Sequence, residues 1–320
     1  MASPNSTFTE LVTSTFRKVR KDVKDNLSKR NALLKHIYKK GNYRKEDGGL
    51  TIVTPLDYAS NGTYQRYSDW DLLSISASDV ISAAEYQWRQ IAMNVVASGR
   101  EKRINSGDSA IFKLAKAKMK NAIRTFNNSF SSDLYSDGTA TNQINGLQAL
   151  VADVGTGTVG GINSTTFTFW QNKIFDCSVN SVTASATTIE NSIMLPLWLD
   201  LDRGPDDQPD LIVMDNTYYK FFEASQTSLK RYMDSTTADG GLVSLKYKNA
   251  DVYFDGNSGI PTEHAYFLNS NYLELVVHQD ADMEVMDSMR PINQDGDVIP
   301  ILWMGNLTVS NRALQGVALA

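Results

Sequence analysis

Between Gly107 and Gly138 the chain carries an unbroken helical stripe. Ile111, Ala115, Met119, Ala122, Ile123, Phe126, Phe130 and Leu134 recur at the spacing that places side chains on one face. Lys113, Lys116, Lys118, Lys120 and Arg124 occupy other faces, and Asp108 stands in the N-cap position. The pattern predicts a helix over 108–135, roughly 40 Å long at 1.5 Å per residue. A rod of that length suits an elongated subunit that it spans from end to end. It is also compatible with an ordinary helix lying along a core.

Residues 41–75 have the opposite character. Gly48-Gly49 and Asn61-Gly62 are turn signals, and the β-prone pieces 50–53 and 63–67 are short. The stretch is too poor in consecutive apolar residues to build a core, yet it holds Tyr43, Tyr58, Tyr64, Tyr67 and Trp70. Aromatic residues at that density argue against disorder. An extended hairpin that completes its burial on another molecule satisfies both observations.

The N-terminal region reads as an amphipathic helix over 9–40, with Val12, Phe16, Val19, Val23, Leu27, Leu34 and Ile37 on one stripe and Gly41 as its stop. Two readings stand side by side: a solvated helix on its own domain, and an arm that contacts a partner. Charge bears on the choice. Residues 1–48 hold 12 Lys and Arg against 5 Asp and Glu, whereas the whole chain has a net charge of −5. A basic arm on an acidic body suits contact with nucleic acid, with an acidic partner, or with the body of a neighbouring copy.

Further along, the alternation of Ile91, Met93 and Val95 favours a strand within 84–98. After residue 146 the pattern is mixed α/β. Residues 147–154 form a short apolar piece, and 187–199 read as the start of a helix broken or bent at Pro196. The run DLIVMD at 210–215 reads as a buried strand, followed by a helix over 216–231. Residues 242–247 and 251–254 predict paired strands, and 265–268 with 273–277 predict a second such pair. No repeat of solenoid period is present.

The candidate chemistry is thin. Gly155, Gly157 and Gly160 in GTGTVGG have the G-x-G-x-x-G spacing of a dinucleotide site, which requires a helix to start at the third glycine. The sequel INSTTFTFW favours extended chain, so a sharply turned loop is expected. His36, His264 and His278 are far apart in sequence, and DLDRGPDDQPD at 200–210 lacks the glutamate of a calcium loop, with Leu211 in its place. A solvated acidic loop is expected there. The single cysteine, Cys177, has no motif around it and fits a reducing compartment. No apolar run reaches the roughly 20 residues of a membrane-spanning helix. Neither an enzyme nor a cofactor or metal site is expected.

Four stretches in order carry a resemblance: NQINGLQALVADVGTGTVGGINSTTFTFWQNK (142–173), PDLIVMDNTYYKFFEASQTSLKRY (209–232), GGLVSLKYKNADVYFDGNSGIPTEHAYFLNSNYLEL (240–275) and MRPINQDGDVIPILWMGNLTVSNRALQGVAL (289–319). Together they resemble the major capsid proteins of tailed bacteriophages, whose shell fold is named after the phage Hong Kong 97. The resemblance covers most of residues 84–320.

It implies an α+β chain of the Hong Kong 97 type. Residues 1–43 would be an N-terminal arm and 44–85 an extended loop hairpin. Residues 86–139 would hold a peripheral-domain strand and the spine helix, 140–235 mostly the axial domain, and 236–320 peripheral and axial sheet strands and the C-terminal tail. The implied function is a structural protein that assembles into pentamers and hexamers, forming the icosahedral head around double-stranded DNA. Its place would be the virion, after assembly in the host cytoplasm.

The partners implied are other copies of the chain, a separate scaffold protein, a portal, a decoration protein, and packaged DNA through nonspecific contact. No membrane contact is implied. The absence of a long acidic or coiled-coil leader and the initial Met favour a separate scaffold and no cleavage. Tyr58, Tyr64, Tyr67, Trp70, Phe16, Lys18 and Arg20 are the candidates for inter-subunit contact, and no motif assigns a Lys–Asn crosslink. The alternatives are an encapsulin-like compartment, a nucleotide-binding enzyme using residues 155–161, and a nucleic-acid-binding protein using the basic arm.

Overall fold

The structure is a computed structural model that describes residues 31–104, 108–205, 207–226, 245–256 and 259–320, with side chains except those of 102–104 and 108–116. Helix α1 (Ala32–Lys40) starts where the Asn31 side chain accepts the Leu34 N–H at 2.8 Å. It ends where Gly41, at φ +78°, turns its N–H back onto the last carbonyls. The first part of the 9–40 expectation lies outside the described residues.

Strands β1 (Tyr43–Glu46), β2 (Thr51–Asp57), β3 (Ile81–Gln87) and β4 (Arg89–Ser98) follow, then a short helix α2 (Gly99–Ile104) and the long helix α3 (Asp108–Asp133). The strand expected within 84–98 is thus the end of β3 and all of β4, parted at Trp88. Helix α3 is the predicted rod. Phe126, Phe130 and Leu134 are buried, but Ile123, assigned to the same stripe, is exposed.

After α4 (Leu147–Leu150) come β5 (Thr158–Val159), β6 (Ile162–Asn163) and β7 (Lys173–Asp176). The expected break at Pro196 takes another form. Residues Ile189–Met194 form a π-helix that runs directly into α5 (Leu195–Leu201). The Leu195 N–H reaches back to Glu190, and Pro196 falls in the first turn of α5, where the N–H it lacks costs little.

Then come β8 (Leu211–Met214), α6 (Asn216–Ser225), β9 (Leu245–Tyr247), β10 (Ala250–Phe254), β11 (His264–Leu268), β12 (Leu273–His278), β13 (Glu284–Val285), β14 (Gly296–Val309) and β15 (Gly316–Leu319). Asp215 caps α6 by accepting the Tyr218 N–H at 2.9 Å.

These strands form two main sheets. The first has the order β1-β12-β14-β13, with β4 also paired along β14. The second has the order β7-β15-β11-β8-β10-β9. β9 and β10 pair antiparallel as expected. The other expected pair does not form: β11 lies between β15 and β8, whereas β12 lies between β1 and β14. Alternation tells which face of a strand is buried, not which strand runs beside it. The chain crosses from the second sheet to the first at residues 269–272 and returns at 310–315, so the strands of 236–320 are divided between the sheets.

The second sheet is a middle layer. Leu211 and Val213 of β8 enter one core, shared with α3, the first sheet and the inner face of β2 and β3. Ile212 and Met214 enter the other, beneath the π-helix, α5 and α6. Burial on both faces is why β8 reads as a continuous apolar run.

Candidate assembly surface

β2 and β3 pair antiparallel from Thr51–Gln87 to Asp57–Ile81 and form a hairpin that leaves the first sheet through Gly48 and Gly49. Its inner face is built from Ile52, Thr54, Leu56, Ala84 and Tyr86, all buried on the chain's own body. The Tyr86 hydroxyl donates to the Val309 carbonyl at 2.8 Å, and the Asn306 amide donates to Gln87 O at 2.9 Å. The hairpin base is therefore self-sufficient, which the low apolar content of 41–75 did not suggest.

The tip, residues 58–80, is not. Its shape is set by polar side chains rather than by a core. Asn61 Oδ1 accepts the Thr63 N–H at 3.0 Å and Asp71 accepts the Ser68 N–H at 2.8 Å. Gln65 spans the loop by donating to Leu72 O at 3.0 Å and accepting the Ser74 N–H at 3.2 Å. With the turn chemistry satisfied internally, the large apolar side chains face water. Trp70 is 97% exposed, Leu72 and Ile75 95%, Tyr64 82% and Tyr67 69%. Such a cluster marks an interaction surface. Asp69, Asp71 and Asp79 against the single Arg66 make it acidic.

Of the candidate contact residues, Tyr64, Tyr67 and Trp70 are thus all exposed in the tip. Tyr58 stacks on Phe169 with ring centroids 5.7 Å apart, so part of it is covered within the chain. Phe16, Lys18 and Arg20 lie outside the described residues. Leu72, Leu73 and Ile75 were missed because only aromatics were weighed; their signal is the aliphatic set within DLLSISAS.

The glycine-rich stretch is a tight hairpin. Val159 pairs with Ile162 across a two-residue turn, with φ +59° at Gly160 and +76° at Gly161. Positive φ at both central residues is the requirement that glycine meets there. No helix starts at the third glycine, so the backbone N–H array of a pyrophosphate site is missing at this place.

Two aspartates of 200–210 serve internal links. Asp207 accepts from Asn269 at 2.9 Å, and Asp210 meets Lys40 at 2.9 Å and accepts the Ser270 N–H at 2.8 Å. Burial alone would raise the Asp210 carboxyl, but His36, Ser270 and Lys40 together hold it well below the usual carboxylate range. Arg312 was also missed. It is fully buried, donates to Leu150 O at 2.7 Å and to Ser164 Oγ at 3.1 Å, and burial pulls its pKa down to about 10. It lies inside the GNLTVSNR stretch, but nothing local marks it as interior. Among the described residues no group of three or more His, Cys, Asp or Glu side chains is placed to hold a metal ion, and no helix is long and apolar enough to cross a membrane.

No protein-family model matches the sequence, and no curated protein does. Solved structures match it over nearly its whole length. The capsid asymmetric unit of cyanophage A-1(L) is similar with a TM-score of 0.71 at 13% identity, covering 95% of this chain and 96% of that one. The chain has the Hong Kong 97-type capsid fold. The capsid of the native GTA particle is similar with a TM-score of 0.60 at 11% identity, over 96% of this chain and 98% of that one. The holo-SrpI encapsulin complex from Synechococcus elongatus shares the capsid fold, with a TM-score of 0.57 at 9% identity over 93% and 91%.

Proposed function

We propose that this chain is the major capsid protein of a tailed bacteriophage, a structural subunit that assembles into pentamers and hexamers of an icosahedral head around DNA. The observation that carries this is the hairpin tip: a large apolar and acidic surface, without a core of its own, on a chain with the capsid fold. An apolar cluster held out in water gains its burial from a second copy, and contacts of about 1,000 Å² or more repeated around each subunit would hold a shell. Contacts of head-to-tail type close into rings. In this reading the first sheet and α3 form the peripheral part, the second sheet the axial part, and residues 1–43 the arm. The basic charge of the arm suits a scaffold protein before packaging or DNA afterwards, and a portal and a decoration protein are further partners. The role is structural rather than catalytic.

The test is electron microscopy of the full chain, expressed alone and with a scaffold protein from its locus. Closed particles are expected. Deletion of residues 59–79, which spares the buried strands β2 and β3, should leave a folded, soluble protein that forms none. Normal particles from that deletion would refute the overlap. An encapsulin-like compartment, favoured by the shared fold with the SrpI complex, would instead give particles that enclose protein cargo and no DNA.

A further inference from the structure

The glycine turn and the projecting hairpin meet at one point. The Glu85 N–H donates to the Gly160 carbonyl at 2.9 Å. A Cβ placed on Gly160 would lie 2.8 Å from Ala84 Cβ and 3.1 Å from the Tyr86 ring. A Cβ on Gly161, at similar positive φ, would meet nothing within 4 Å. Of the two central glycines of the turn, Gly160 is the one pressed against β3.

The turn is itself anchored. The Trp170 indole donates to Val159 O at 3.0 Å, and Ser164 donates to Gly157 O at 2.9 Å from its hydroxyl. Arg312 holds Ser164 from behind. By contrast, the covalent attachments of the hairpin are pliable on one side. Gly48 and Gly49 have φ of +143° and +118°, and they are pinned only where the Trp88 indole donates to Gly49 O at 3.0 Å. The contact at 84–86 faces 52–54 of β2, midway between that pivot and the far end of the strands, about 13 Å from each at ~3.3 Å per residue, and the tip lies farther out still. A few tenths of an ångström at the contact is magnified at the tip.

We propose that the Gly160 turn is a stop that sets the pitch of the β2–β3 hairpin, and thereby the curvature with which copies of this chain associate. The second half of the proposal rests on the shell reading above; the first half does not. Gly160 and Ala84 are positioning residues in it.

The test compares Gly160→Ala, Gly161→Ala, Ala84→Gly and the double exchange Gly160→Ala with Ala84→Gly. Both glycine substitutions strain the backbone by placing an alanine at positive φ, but only the first strikes the hairpin. Ala84→Gly opens the contact without that strain and serves if Gly160→Ala does not fold. The double exchange moves the methyl group across the contact. Two readouts are taken on the full chain: amide hydrogen exchange over 81–87 before assembly, and particle diameter by electron microscopy.

Gly160→Ala and Ala84→Gly are expected to speed exchange at 84–86 by about tenfold or more and to shift or broaden the diameters. Gly161→Ala should change neither, and the double exchange should return both toward the parent values. Equal behaviour of the two glycine variants, or unaltered diameters with faster exchange, overturns the corresponding half. If the parent chain forms no particles, the shell reading fails, and the stop is judged on exchange alone.

Discussion

At the scale of single residues, His264 shows how two neighbours choose a protonation state. Its Nδ1 lies 2.7 Å from Thr262 O and its Nε2 lies 3.3 Å from Asp153 Oδ2. Both neighbours are acceptors, and only the imidazolium has an N–H for each. Burial alone would lower the pKa of His264, but Asp153 and Thr262 outweigh it and raise the value above the ordinary one. Such a group stabilises the fold fully below the unfolded value of about 6.5, and that stability is lost as pH rises through the raised folded value. Asp153 is shifted the other way: burial would raise it, and the bonds from His264 and Gln148 lower it. Its contribution fades only as pH falls through that lowered value. Urea unfolding should therefore show a stability plateau that declines on the alkaline side. Asp153→Asn should flatten that decline, by about 1 kcal/mol or less for a partly exposed pair. An unchanged alkaline decline in the variant would remove His264 as its source.

At the scale of elements, α3 is fastened by a three-ring cluster. Phe126 and Phe130 stack 5.3 Å apart, and Phe130 meets Trp303 of β14 edge-on at 4.9 Å. Truncating Phe130 to Ala removes the middle ring and leaves a cavity, at a cost of about 3–5 kcal/mol. The thermal midpoint should fall by several degrees, and a shift near zero would mean that the cluster does not hold the helix. This helix, β8 and the β9–β10 pair were legible in the sequence because each is written in a local pattern, the helix in its stripe and β8 in its continuous apolar run. The partners of β11 and β12 were not, since pairing is decided by segments far away in the chain. Helix α5 was read as interrupted because a proline signals only that an N–H is missing, and a preceding π-turn can absorb the loss. In the candidate surface, the aromatics of the tip were legible as residues without a core. The burial of the hairpin base was not, because Ala84 and Tyr86 find their cover at Gly160 and Val309.

At the scale of the whole molecule, the two sheets are joined where two short crossings of the chain, at residues 269–272 and 310–315, meet. Gln315, on the second crossing, is fully buried and uses its amide as a strand uses its backbone. Its Oε1 accepts the Asn269 N–H at 3.0 Å and its Nε2 donates to Asn269 O at 3.1 Å. Gln315→Ala leaves the Asn269 N–H unpaired and its carbonyl with the Tyr272 N–H as partner, which costs about 1–3 kcal/mol. Hydrogen exchange should then accelerate at residues 269–272 while the strands on either side stay protected; exchange confined to the site of substitution would show that the crossings are independent. The crossing at Gln315 leads into β15, which is an inner strand of the second sheet with β7 on one side and β11 on the other. All its remaining strands precede it in the chain. Residues 316–319 must therefore leave the ribosome before that layer can close, so the sheet stays open at its middle while every strand before β15 is being made.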